Sequence, residues 1–176
     1  ILSSNKLLCL EWPFLIYALL MSFWSSFGQT FFISLFSFEI RTELALSHGD
    51  FGFHYAIATL VSAIVLFWLG KLTDNFSIPW ISLFTLLGVS LSAFYFSNVN
   101  SVLTLTLGLF LLRLSGQGMM YMVYSTAITR RYEEIRGRAL AISGFGMNIA
   151  EALFPILIIF ALSLFSWRSI WFGLSI

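Results

Sequence analysis

The sequence predicts an all-α integral membrane protein, a bundle of five complete transmembrane helices plus the start of a sixth. Composition is the first reason. Of the 176 residues, 59% are hydrophobic and only 10% charged, against about a quarter charged in a typical soluble domain. Mean hydropathy is +0.93, so most helices are apolar on every face, which water does not tolerate. The second reason is the set of charge-free stretches, several longer than the roughly 20 residues a helix needs to cross a bilayer. They are continuous apolar runs rather than alternating ten-residue segments, which favours helices over a β-barrel. A net charge of +1 supplies no field for nucleic acid. The single cysteine, Cys9, excludes a disulfide framework and a cysteine-rich metal site. The chain begins at Ile1 and stops within an apolar run, so it reads as a piece of a larger membrane protein.

Each span follows from where the charges fall. The first, 12–38, lies between Glu11 and Glu39; its apolar region is too long for a signal peptide, and Gln29-Thr30 is no cleavage site. The second, 52–71, follows Asp50 and closes at Lys71. A charge-free run up to Leu112 is too long for one pass, and its polar cluster Ser97-Asn98-Val99-Asn100-Ser101 marks a turn. That gives spans 79–97 and 102–128, the latter continuing through Arg113. After the polar segment 130–138, a fifth span runs over 139–165 with Glu151 inside it. The sixth begins at 169, after Ser166-Trp167-Arg168-Ser169, and reaches 176. Trp12, Trp68, Trp80, Trp167 and Trp171 fall near helix ends, where interfacial aromatics belong. Cationic loops stay in the cytoplasm. Lys6, Lys71, Arg130, Arg131, Arg136 and Arg138 share one side, against Arg41 and Arg168 on the other. The expected topology is therefore multi-pass in the cytoplasmic (inner) membrane with the N-terminus in the cytoplasm.

Two charges stand where the membrane should exclude them. A charge at bilayer depth costs about 2.5–3.5 kcal/mol on insertion scales and is functional by default. Arg113 lies twelve residues after Ser101, and Glu151 thirteen residues after Arg138. The two spans run in opposite directions, so both charges reach similar depth and a buried Arg113–Glu151 pair is geometrically allowed. Such a pair either locks two helices together or serves function, with Arg113 binding an anion and Glu151 carrying a proton. Helical spacing gives these charges polar company. Arg113, Gly116, Gln117, Met120 and Tyr124 share a face, as do Gly144, Asn148, Glu151 and Pro155. Ser22, Ser25, Ser26 and Gln29 form a stripe on the first span, and Tyr55, Thr59 and Ser62 a weaker one on the second. Serine and threonine stripes commonly mediate packing; Gln29, a buried amide near midplane, is a candidate to face a cavity. Gly116, Gly118, Gly144, Gly146 and Ala150 would let backbones approach closely, and Pro155 can kink the fifth span.

No catalytic constellation accompanies these residues. His48 and His54 lie six residues apart near an interface, with Asp50 between them, and match no metal-ligand spacing. There is no phosphate-cradling glycine loop and no cysteine nucleophile with a base. No cofactor and no metal are implied. A membrane-embedded enzyme would need His, Asp or Ser clustered at one depth; a non-transporting membrane protein would not need two midplane charges.

Three motifs resemble the N-terminal half of a major facilitator superfamily transporter. Gly70-Lys71-Leu72-Thr73-Asp74 resembles the first half of the family's loop between helices two and three, in which Gly70 and Asp74 would make gating contacts. Asn75, Ser77 and Ile78 depart from its usual basic and glycine positions. Arg113-Leu114-Ser115-Gly116-Gln117-Gly118 resembles the fourth-helix arginine motif, implicated in substrate or proton handling. Arg136-Gly137-Arg138-Ala139-Leu140 is similar to the opening of helix five in carboxylate-type members. Ala150, Phe154, Ile158 and Ile159 replace the glycines of the antiporter signature, of which Pro155 remains. The resemblance implies secondary active transport of a small organic solute, a carboxylate or other anion, by alternating access with proton coupling. A drug-efflux member is the alternative. It also implies a C-terminal six-helix half as partner and a solute and proton pathway through Arg113, Glu151, Gln29, Gln117, Asn148 and Tyr124.

Overall fold

The computed structural model describes residues 12–71 and 75–176, so the gating-loop residue Asp74 lies outside the described residues. The described chain contains α1 (Trp12–Trp24), α2 (Thr30–Ser34), α3 (Ser37–Glu43), α4 (His48–Leu69), α5 (Ile78–Ser97), α6 (Val102–Leu112), α7 (Tyr121–Arg131), α8 (Arg136–Leu162) and α9 (Trp167–Leu174). A 3-10 turn, Ser25–Gly28, follows α1, and a π-helical segment, Arg113–Met120, joins α6 to α7. Helix starts coincide with the polar punctuation. Ser47 caps α4 in a reciprocal capping box with Asp50, and Ser101 caps α6 with Thr104. Pro79 occupies the first turn of α5, where its missing N–H is harmless. Among the described residues, four stretches are long and apolar enough to cross a membrane: His48–Leu69, Ile78–Ser97, Val102–Arg131 and Arg136–Leu162.

The first span is broken, which corrects the expectation of one helix over 12–38. Gln29 adopts an extended backbone (φ −83°, ψ 151°) between the 3-10 turn and α2. The sequence Ser25-Ser26-Phe27-Gly28 supplies the cause. Ser25 Oγ donates back to the Ser22 carbonyl at 2.6 Å, competing with the helix ladder, and Gly28 adds the freest backbone; serine and glycine together are a recognised source of helix breaks. In contrast, α8 runs unbroken through Pro155.

Because lipid tails are as apolar as leucine, close packing rather than water exclusion holds such helices together. The fifth span packs along the first, the second along the fourth, and the start of the sixth along the third. A Cβ on Gly146 would overlap the Leu19 carbonyl oxygen and lie 2.8 Å from the Phe23 nitrogen, so α8 crosses α1 backbone to backbone. Gly144, by contrast, has open space around it. At the other end, Trp171 is fully buried among Phe32, Phe36 and Phe96, with ring centroids 4.8–5.5 Å apart. Trp167 is buried as well. Both tryptophans are therefore core residues rather than interfacial anchors, because α9 turns its face onto α5 and the first span.

Candidate functional site

The break in the first span creates the site. Where α1 and its 3-10 turn end, carbonyl groups lose their intrahelical donors. The Gln29 carbonyl is taken by the Ile33 N–H at 3.1 Å, which starts α2. The Gly28 carbonyl is taken by Arg113, whose Nη1 donates to it at 3.1 Å and to Thr30 Oγ1 at 3.4 Å. A guanidinium at this helix C-terminus also meets the negative end of its dipole. The two segments touch here: a Cβ on Gly116 would sit 2.6 Å from the Gly28 nitrogen, and one on Gly28 would overlap Leu112 O and Gln117 N. The close approach expected of Gly116 is real, and its partner is Gly28.

Tyr55 completes the clamp from α4. Its ring centroid is 5.1 Å from the guanidinium carbon, and its hydroxyl shares a 2.8 Å hydrogen bond with Thr30 Oγ1. Arg113 is 8% exposed, and its Nε is buried without a partner. Beside it, a cavity of about 460 Å³ opens between α4 and the fourth span, lined among others by Thr59, Ser62, Leu66, Arg113, Gln117 and Tyr121. Thr59 Oγ1 is likewise buried and unpartnered. Among the described residues, no aspartate or glutamate lines this cavity.

The π-helical bonding rearranges the face expected for the fourth span. Bonds from i to i+5 put an extra residue into each turn, so Arg113, Gln117 and Tyr121, four apart, line the cavity together. Gly116, Met120 and Tyr124, also four apart, are buried instead. Tyr124 thus lies off the Arg113 face, with its ring edge-on to Tyr121 at 5.4 Å. Gln29 sits at the break itself, half-buried.

Glu151 is elsewhere. On α8 the buried stripe is Ala139, Ser143, Gly146, Ala150, Phe154 and Ile158, facing α1. Glu151 and Asn148 lie off that stripe and are exposed. No ion pair joins Glu151 to Arg113 among the described residues: the guanidinium points at the break and at α4, while α8 packs against α1. Sequence spacing had allowed a pair; the packing of α8 onto α1 turns Glu151 away from Arg113. Thr30, Tyr55 and Tyr121 were not singled out from sequence as partners of the arginine. The Ser-Ser-Phe-Gly run was the available signal, since a break there exposes a carbonyl at the depth of Arg113.

Other motifs fall at the bundle's ends. Gly70 follows the last turn of α4, with Lys71 stacked 4.9 Å from the Trp68 ring. Arg136 opens α8, as its motif implies. Arg131 lies 4.8 Å from the Phe14 ring. At the opposite end, Glu43 accepts from Arg168 Nη2 at 2.5 Å, Arg168 Nε at 3.1 Å and Trp167 Nε1 at 2.7 Å. Arg168 Nη1 also donates to the Ser97 carbonyl at 3.1 Å. This cluster ties the ends of the first, third and sixth spans. Hydrogen bonding from Arg168 is the main reason that the Glu43 carboxyl titrates below the ordinary carboxylate range.

No curated protein and no solved structure matches this sequence. The family model of the Major Facilitator Superfamily matches residues 18–176, which takes in the break in the first span, the arginine motif and the start of the sixth span, and the chain belongs to that superfamily.

Proposed function

We propose that the chain forms the N-terminal bundle of a secondary transporter for a small organic anion, such as a carboxylate, with Arg113 as the anion-binding group. Membership of the superfamily makes it part of a membrane transporter in general terms; the solute class rests on the site. The observation that carries it is a guanidinium more than nine-tenths buried beside a cavity with no acidic partner among the described residues. A buried charge without a counter-charge is expensive, and neutral partners such as the Gly28 carbonyl offset only part of that cost. A solute carboxylate entering the cavity supplies the missing charge. The same sign disfavours a cationic drug as solute.

In this reading Glu151 carries the coupling proton. It is a carboxylate within a membrane-spanning helix with no cation beside it among the described residues, and carboxylates in such helices mark ion or proton paths. Its route is separate from Arg113, since the two do not touch. A second six-helix bundle covers the exposed Asn148–Glu151 face and supplies the other half of the site, so that the two bundles rock around it. The end bearing Arg130, Arg131, Arg136 and Arg138 faces the cytoplasm of the inner membrane.

The test is uptake by the protein in liposomes, with labelled lactate, succinate and gluconate set against neutral glucose and cationic tetraethylammonium. We expect accumulation of at least one carboxylate and at least a tenfold loss in Arg113→Gln. Transport of glucose or tetraethylammonium alone, unchanged in Arg113→Gln, would overturn the reading.

A further inference from the structure

We infer that Tyr55 is a positioning residue that sets how tightly Arg113 holds an anion; this rests on the reading of Arg113 given above. Three contacts place it in that role. Its ring lies 5.1 Å from the guanidinium carbon, within cation–π range. Its hydroxyl holds Thr30 Oγ1 at 2.8 Å, and that oxygen is the second acceptor for Arg113 Nη1, at 3.4 Å. Thr30 is the first residue of α2, immediately after the break, so its position depends on where the broken backbone settles.

The geometry explains why a third element is needed. The Gly28 carbonyl anchors Nη1 alone and leaves the guanidinium plane free to turn about that bond. The Tyr55 face fixes the plane, and the Tyr55–Thr30 bond fixes the second acceptor. With Nη1 so occupied, Nε is left unpartnered on a residue that lines the cavity. The second span thereby presents the fourth span's charge to a ligand without touching the ligand itself, since Tyr55 is absent from the cavity lining while Thr59 and Ser62, further along the same helix, belong to it. Preorganisation of this kind raises affinity by removing ordering costs from the binding step.

The experiment is a kinetic comparison in liposomes, with whichever of lactate, succinate and gluconate the wild-type protein takes up fastest. Tyr55→Leu removes both contacts and is expected to raise KM about tenfold with Vmax within about twofold; Tyr55→Phe keeps the ring and should raise KM about threefold. Thr30→Val should match Tyr55→Phe, and combining those two should add nothing further. Phe53→Leu, at a lipid-exposed aromatic on the same helix, should leave both constants unchanged. In an Arg113→Gln background the Tyr55→Leu effect should vanish. If Tyr55→Leu lowers only Vmax, or acts equally with and without Arg113, the positioning role is wrong while the anion site stands. If Arg113→Gln itself leaves carboxylate uptake unchanged, or the wild type carries none of the three, the functional reading fails and takes this one with it.

Discussion

Arg113 Nη1 donates to the carbonyl of Gly28, 85 positions away in the chain, at 3.1 Å. One bond thus joins an arginine where the fourth span passes from α to π geometry with the residue where the first span breaks. Each irregularity has a local cause, and each makes room for the other. The serine–glycine run frees a carbonyl, and the π segment opens around two glycines, one of which takes the first span's backbone against it.

Room for that contact can be measured. A Cβ at Gly116 or Gly146 would meet backbone atoms of the first span well inside contact distance. Overpacking of this kind costs about 1–3 kcal/mol. We expect Gly116→Ala and Gly146→Ala to lower the melting temperature of the purified protein clearly. Gly144→Ala, with open space around it, should melt like the wild type or slightly higher.

A second prediction concerns the turn after α3. Ala45 has φ 52°, in the left-handed region, and the Leu46 N–H bonds the Arg41 carbonyl at 2.9 Å across it. That six-to-one bond belongs to a Schellman motif, whose left-handed position favours glycine. An L-residue there is strained by about 1–2 kcal/mol, partly balanced by glycine's looser unfolded chain. Ala45→Gly should therefore raise the melting temperature, by an amount equivalent to about 0.5–1 kcal/mol. A lower melting temperature would mean that the turn is not strained.

The Glu43–Arg168 cluster sets a pH dependence. The folded-state pKa of Glu43 is lowered, chiefly by hydrogen bonds from Arg168. Its stabilising contribution is therefore fully present above the ordinary carboxylate pKa near 4.5 and is lost as pH falls through the lower folded value. The pair is partly exposed, so solvent screening keeps it within about 1 kcal/mol. Comparing Glu43→Gln with the wild type by thermal melting should show a deficit at pH 7 that shrinks below pH ~4. A deficit that is constant across this range would assign the effect to packing around Trp167 instead.

Proton coupling makes a separate prediction at Glu151. With Arg113 out of reach, Glu151→Gln should leave carboxylate binding intact while abolishing the stimulation of uptake by an inward proton gradient. Stimulation that survives the substitution would remove Glu151 from the proton path.

Charge-free length marks where two of the long apolar helices fall. Ile78–Ser97 and Val102–Arg131 lie close to their expected ranges because Ser77, Ser101 and the arginines that bound them act locally. The position of Arg113 inside the helix Val102–Arg131 was legible for the same reason. Its partner was not, because hydropathy and spacing fix position along a helix but not which helices lie side by side. Sequence spacing puts Glu151 and Arg113 at similar positions along their spans, but the spans present them in different directions. The break at Gln29 is invisible to hydropathy, since Phe27 and Gly28 are as apolar as the helix around them and only Ser25 and Ser26 mark it; the π segment carries no mark beyond Gly116 and Gly118. Trp171, three residues beyond Arg168, has the sequence context of an interfacial anchor; only the packing of α9 onto α5 makes it core.

Ligand-dependent melting tests the central claim, that Arg113 is an anion-binding group, most directly. The purified protein is heated with and without saturating lactate, succinate or gluconate, alongside Arg113→Gln. A bound ligand stabilises by about 2.7 kcal/mol at a hundred times its dissociation constant, enough for a clear rise in melting temperature. We expect that rise in the wild type with at least one of the three anions and its absence in Arg113→Gln. An equal rise in both proteins would place the anion elsewhere and contradict the claim.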